Sequence, residues 1–405
     1  MIRMIVADMD GTLLDSRKRL PQDLFPLIRQ LQDRNVRFVV ASGRQYYNLE
    51  AQFGEIADQV TFLSENGALI CEKGKPIFVD EMPEAHWKAI LEAVDGIPDA
   101  FPVLCGVKSA YISSRDPEFL RNVETYYKKY KIVENLQKVK DPVCKIAVYD
   151  LGSAEENSWK ALAFLKDRFN VSLSGDHWVD VMETRVNKGA ALAALEKLYN
   201  VAPEETMAFG DYLNDLEMMA SCLYSFAMAN AHPDVKAAAR FEAPSNDENG
   251  VVRAIRQQLD LPFHPLCRKI DVSDPDYQVE LALRDQVLRR PIGRSIADDD
   301  LSEEGTCCHI GAFDGNCLIG CMVLRPGAGA VRMCQVAVRP EYRGRGVGRE
   351  MEAFAELCAR EMGAASITVH ARKTALGFYE AVGFEETGGE FLEVGIPHFP
   401  MQKDL

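Results

Sequence analysis

Apolar runs alternate with amphipathic stretches through the first part of the chain. "MIRMIVAD" reads as a strand, "PQDLFPLIRQLQDRN" as a helix, "VRFVVASG" as a strand and "YYNLEAQFGEI" as a helix. The rhythm returns later as helix "KGAALAALEKLYN", strand "TMAFGD", helix "NDLEMMASC", strand "YSFAMAN" and helix "HPDVKAAAR". Short buried-type runs such as Phe38 to Val40, separated by helical patterns, predict a parallel sheet covered on both faces. Ligands of such sheets collect beyond the carboxyl ends of the strands.

Residues 82–185 break this rhythm, with helices such as "PEAHWKAILEAV" set between strands such as "CKIAVYD" and "HWVDVME". After Gln258 the stretch "LDLPFHPLCRKIDVSDPD" has three prolines and no clear period, which predicts a linker. A third pattern follows: helix "YQVELALRDQVLRR", a hairpin turning at Asp314-Gly315, and strand "AVRMCQVAVRP". The predicted architecture is therefore α/β. A Rossmann-like, doubly wound parallel sheet occupies 1–81 and 186–258, and an α+β domain is inserted over 82–185. A linker over 259–271 leads to a further α+β domain over 272–405.

Charge and cysteine usage narrow the class. A formal net charge of −15 argues against a partner that is nucleic acid or an anionic membrane. No apolar run approaches the ~18 residues of a membrane span. Met1 leads straight into a strand, where a signal peptide would need room. The 11 cysteines follow no Cys-x-x-Cys spacing, and several lie within strand-like runs, as free thiols of a reducing compartment would. A cytoplasmic protein is expected.

Candidate chemistry gathers at strand ends. Asp8 and Asp10, in "IVADMDGTLLD", close the first strand; Ser42, Gly43 and Arg44 follow the second. "NKGAAL" puts Asn187 and Lys188 at a helix start, and "GDYLNDLEMM" supplies Asp211, Asn214 and Asp215. Each fragment alone would read as a turn or a cap. Together they suit phosphoryl transfer, where a carboxylate nucleophile must overcome the charge of a phosphate ester with help from a cation. Asp8 is the expected nucleophile and Asp10 the acid and base. An all-oxygen site with few carboxylates suits Mg²⁺, while Ser42 and Lys188 would stabilise phosphate charge.

In their order, DMDGTLL, ASGR, SENGA, NKGAAL and GDYLNDLEMM resemble the haloacid dehalogenase superfamily, in its Cof-type phosphatase branch. The resemblance implies a metal site of Asp8, Asp10 (through its carbonyl), Asp211 and Asp215, with Ser42, Gly43, Arg44, Asn187 and Asn214 around the phosphate. The long gap between Ser42 and Lys188 would hold a cap domain, and the substrate would be a sugar phosphate or a similar small phosphorylated metabolite. Phosphomutase chemistry is the alternative within the superfamily. Glu183 and Arg185, at the cap boundary, would either touch substrate or form a surface ion pair.

A second phosphate signal is "VAVRPEYRGRGVGREMEAFAELC", a glycine-rich loop between a strand and a helix. Glycines let main-chain amides approach a pyrophosphate, whose charge a helix amino terminus favours. With "ALGFYEAVGF" downstream, this segment resembles the GNAT acetyltransferases. The resemblance implies an acetyl-CoA cradle of Arg343, Gly344, Arg345, Gly346, Val347, Gly348 and Arg349. Val336 and Val338 would meet the pantetheine arm, and Tyr379 would protonate the leaving thiolate. The acceptor would be an amine, with Glu393 and His398 as possible bases. A domain that senses acyl-CoA without turnover is the alternative.

Overall fold

The computed structural model describes residues 1–327 and 329–405. The chain divides into two compact units, Met1–Leu20 with Leu24–Ala254, and Pro21–Asp23 with Ile255–Leu405.

In the first unit, strands Met4–Asp8, Arg37–Ala41, Thr61–Ser64, Thr206–Gly210, Tyr224–Met228 and Phe241–Ala243 are parallel neighbours in one sheet. Met4–Asp8 sits in the middle and is buried throughout, as an apolar strand with helices on both faces must be. Helix Leu24–Asp33 buries Leu24, Leu27, Ile28 and Leu31, the three-and-four spacing of a single apolar face. The strands Leu69–Glu72 and Lys75–Val79 extend one edge as an antiparallel hairpin, which the parallel pattern had not suggested.

Segment 82–185 builds its own six-stranded, mostly antiparallel sheet. One face carries a core around Trp87, Ile90, Leu104 and Val181, the other a core around Phe119, Tyr149 and Trp178. The stretch "SWKALAFLKDRF" forms only a short helix, Ser158–Ala161, and a 3₁₀ stretch, Ala163–Asp167. Leu162 and Leu165 are three apart and both buried, a spacing that a 3₁₀ turn aligns.

The second unit holds a sheet in which strands Cys308–Asp314, Cys317–Pro326 and Ala330–Val338 run antiparallel, followed by Ser366–Arg372, which is parallel to Ala330–Val338. The expected linker needs correcting. Within 259–271, Leu266–Ile270 is a strand paired with Cys308–Asp314 along its whole length. Flanking prolines hid it in the sequence, yet Ile270 is buried against Phe313 and Leu318. Helix Val347–Glu361 buries Val347, Met351, Ala355, Cys358 and Ala359 against one face of this sheet. Among the described residues no helix is long and apolar enough to cross a membrane, and the cysteines are free.

Candidate active site

Asp8 ends the central strand, and Asp211 follows its neighbour Thr206–Gly210. Ser42 follows the neighbour on the other side, Arg37–Ala41. Parallel pairing therefore brings all three to one end of the sheet. Lys188 opens helix Lys188–Tyr199, whose first turn is capped by Asn187 Oδ1 accepting the Ala190 N–H at 2.7 Å.

Lys188 has no exposed surface. Its Nζ donates to Asp8 Oδ1 at 2.5 Å and to Asp215 Oδ1 at 2.6 Å. The second oxygen of Asp215 accepts the main-chain N–H groups of Asp211 and Tyr212 at 3.0 and 3.3 Å. A buried ammonium persists only when paired this closely. Asp8, Asp211 and Asp215 place carboxylate oxygens within 4.8 Å of one another. Burial pushes the Asp8 carboxyl up to about 8 in spite of Lys188, with Asp215 and Asp211 adding to the rise. Burial also raises Asp211, to about 6, against the Thr12 hydroxyl that donates to it at 2.8 Å. Three carboxylates face one ammonium, so the pocket lacks positive charge, and its all-oxygen donor set fits a hard divalent cation. Gly11 keeps this room open. Its φ is +80°, and a Cβ there would come within 2.2 Å of Asp211 Oδ2.

Four expected neighbours are engaged with other groups. The Asp10 carboxylate is turned to Arg44, at 2.8 and 2.7 Å, and to Lys18, at 2.9 Å, and is not among the clustered carboxylates. Burial would raise its pKa, but Arg44 and then Lys18 hold it below the usual carboxylate range. Asn187 spends its side-chain oxygen on the helix cap. Asn214 donates to Asn66 at 3.3 Å, and the Ser42 hydroxyl accepts the Arg44 N–H at 3.2 Å. Glu183 and Arg185 form an ion-pair chain: Arg185 bridges Asp80 and Glu183, and Glu183 meets His86 at 2.7 Å.

In the second unit, the strands Ala330–Val338 and Ser366–Arg372 pair only from Ala330↔Ser366 to Met333↔Val369. Gln335, with φ +54°, bulges the first strand, and the two part beyond it. The opening is a cavity of about 930 Å³. Val336, Val338, Arg343, Gly344, Gly346, Val347, Gly348, Arg349 and Tyr379 line it, as do Glu393 and His398. Gly344 and Gly346 have φ of +74° and +84°, and a Cβ at either would meet nothing within 4 Å. They are required by backbone shape, and they leave the loop's surface open. The Arg345 side chain is not among those lining the cavity. Its guanidinium lies over the rings of Phe263 and Tyr342, at 4.7 and 5.1 Å, where cation–π contact holds it.

Residues 5–255 match the family of haloacid dehalogenase-like hydrolases. The chain belongs to that family. Residues 282–405 form an acetyltransferase (GNAT) domain. The 5-amino-6-(5-phospho-D-ribitylamino)uracil phosphatase YbjI of Escherichia coli is 33% identical over 267 residues, 65% of this chain and 98% of that protein. The HMP-PP phosphatase of Klebsiella pneumoniae is 27% identical, over 58% of this chain and 88% of its own length. The crystal structure of SMU.1108c from Streptococcus mutans superimposes with a TM-score of 0.57 at 32% identity, covering 64% of this chain and all of that one. Each match covers 58–65% of the chain, and the region matching the GNAT family follows the one matching the hydrolases.

Other charged groups of the hydrolase were missed in the sequence. Lys145, buried, donates to the carbonyl of Gly43 at 3.0 Å and lies 3.0 Å from both Asp180 Oδ2 and Glu65 Oε2. The inserted sheet thus places a lysine against the Ser42-Gly43-Arg44 loop. The one available signal was the presence of single charges inside the apolar runs "CKIAVYD" and "HWVDVME". In the GNAT domain, Arg332 and His370 were missed. Arg332 Nη2 lies 2.8 Å from His370 Nδ1 and 3.1 Å from Glu393 Oε1, and His370 Nδ1 is 2.9 Å from Glu393 Oε2.

Proposed function

We propose that the hydrolase portion is a Mg²⁺-dependent phosphatase of a small phosphorylated metabolite, acting through an aspartyl-phosphate, an acyl phosphate, on Asp8. The observation that carries this reading is the Lys188 contact with Asp8 beside the Asp211 carboxylate. Asp8, Asp211 and the carbonyl of Asp10 would hold the cation, with Asp215 fixing Asp211 and Lys188 behind them. When bound, the cation supplies the positive charge that lets a carboxylate approach a phosphate.

Lys188 orients Asp8 and opposes the burial that raises its carboxyl, and the positive charge of a bound cation would complete its ionisation. An oxygen of Asp8 forms a bond to phosphorus while the ester P–O bond breaks, and the departing alkoxide takes a proton from Asp10. A substrate phosphate competes for Arg44 and Lys18, which releases Asp10 for that exchange. Water then gives a proton to Asp10 and attacks phosphorus, and Asp8 leaves as a carboxylate. The named substrate of the E. coli relative is the first compound to test, followed by sugar phosphates. Release of inorganic phosphate tests the reading. Isomerised sugar phosphate without phosphate release would favour a mutase.

For the GNAT domain, the proposed reaction is transfer of the acetyl group of acetyl-CoA to an amine. The open space over Gly344 and Gly346, at the start of helix Val347–Glu361, supports a pyrophosphate site. As the amine nitrogen bonds to the acetyl carbon, the carbon–sulfur bond breaks. Burial raises the Tyr379 phenol and keeps it protonated, ready to protonate the thiolate. The His370–Glu393 pair on the cavity wall is placed to take the proton that the nitrogen sheds. Thiol release across a panel of amines tests this. Binding of acetyl-CoA without thiol release from any amine would favour a sensor.

A further inference from the structure

The cavity of the GNAT domain presents two different walls. Val331, Met333, Val369 and Ala371 pack with Val347 and Met351 of helix Val347–Glu361. Side chains alternate along a strand, so Arg332, His370 and Arg372 turn to the opposite face of the sheet. That face carries the segment Asp285–Arg289, whose Leu288 packs with Cys321 and Ala337. The glycine-rich loop leads into the helix on the first face. Arg332 lies within the paired stretch on the face away from that helix, and Arg372 lies beyond Met333↔Val369, where the strands part.

Four arginines and two acids line this second wall: Arg289, Arg294, Arg332 and Arg372 with Asp299 and Glu393. Arg289 is paired with Asp299 through Nη2 at 2.5 Å and Nε at 2.9 Å, and Arg332 is paired with Glu393. Two pairs cancel, which leaves Arg294 and Arg372 as surplus positive charge on a chain whose formal net charge is −15. Burial and then the neighbouring Arg289 both disfavour the charge on half-buried Arg372. An anion set against these guanidiniums would offset both costs. The same positive surroundings disfavour an ammonium, so an amine would be bound in its neutral, nucleophilic form.

We infer that the acetyl acceptor is an amine that also carries an anionic group, a carboxylate or a phosphate, held by Arg372 with Arg294. This rests on the reading of the domain as an acetyltransferase.

The test uses the full chain saturated with CoA and three matched amine pairs: O-phosphoethanolamine with ethanolamine, β-alanine with its amide, and 4-aminobutyrate with its amide. Affinity is read by calorimetry and turnover by thiol release from acetyl-CoA. The anionic member of at least one pair should bind about tenfold tighter or better, the scale of a hydrogen bond to a charged group. The phosphate and carboxylate pairs separate the two anion types. Arg372→Gln should remove that preference and leave acetyl-CoA affinity within about twofold; Arg294→Gln, on an exposed side chain, should reduce it without threatening the fold. Binding of no anionic probe, or a preference for the neutral members, would overturn the inference. So would an Arg372→Gln loss that falls on acetyl-CoA instead. If the wild type fails to bind acetyl-CoA at all, the acetyltransferase reading fails first, and this inference falls with it.

Discussion

Lys188 and Asp8 are 180 positions apart in the sequence, and their side chains meet at 2.5 Å with the lysine wholly buried. The strand ending at Asp8 and the helix opening at Lys188 are each fixed by apolar packing. The contact is therefore imposed by the fold, and it fixes the position of one carboxylate oxygen of Asp8.

Lys188→Met removes the ammonium and leaves Asp8 and Asp215 buried with no cation beside them. Breaking a buried pair from one side costs about 3–5 kcal/mol. The expected result is a lowered thermal midpoint in chelator, with a larger recovery on adding Mg²⁺ than the wild type shows. Equal Mg²⁺ responses of the two proteins would show that no cation neighbours these carboxylates.

Metal removal gives a second expectation. Chelator should silence phosphate release and Mg²⁺ should restore it. Ca²⁺ prefers more oxygen ligands at longer distances and should support turnover poorly. Full phosphatase activity in excess chelator would sink the metal assignment.

The GNAT cradle is tested by two substitutions with different signatures. Gly346 has φ +84° and faces open space, so Gly346→Asp strains the backbone and sets a carboxylate toward a pyrophosphate. It should nearly abolish acetyl-CoA binding in calorimetry. Tyr379→Phe should leave binding intact and slow thiol release about a hundred- to ten-thousand-fold, the scale of a lost general acid.

His309 supplies a pH test of stability. Burial would lower its pKa, but Glu280, at 3.0 Å, and the Glu304 carbonyl raise it above the ordinary histidine value. Glu304 and Glu280 also hold Arg284, and the Tyr277 ring packs on the imidazole. A pKa raised in the folded state gives stability that is fully present below the unfolded value of about 6.5 and fades as pH rises through the folded value. The difference in thermal midpoint between wild type and His309→Gln should accordingly be larger at pH 6 than at pH 9. A constant difference would refute the charged histidine.

Much of this was readable beforehand where chemistry sits at the end of a periodic element. Asp8 ends an apolar strand, Ser42 and Asp211 stand one step beyond theirs and Lys188 opens a helix, so their convergence followed from parallel pairing. The Arg332–His370–Glu393 cluster was not readable. Its members lie on three elements, and only strand register and the opening at Gln335 bring them together. Strand Leu266–Ile270 was hidden because it pairs along its length yet buries only Ile270 fully, and that leaves no apolar period to see. The orientation of the Asp10 carboxylate was not readable, because its partner Arg44 lies 34 positions away and their meeting is a tertiary property.

The central claim is that Asp8 attacks the phosphate. Inorganic phosphate released from the ribitylamino-uracil phosphate and from a panel of sugar phosphates, with Mg²⁺ present, should be measured for wild type and Asp8→Asn. The account predicts release by the wild type and a loss of about a thousandfold or more in the variant, some 4 kcal/mol of barrier, with acetyl-CoA binding unchanged. Phosphate release by Asp8→Asn at a tenth of the wild-type rate or above would contradict it.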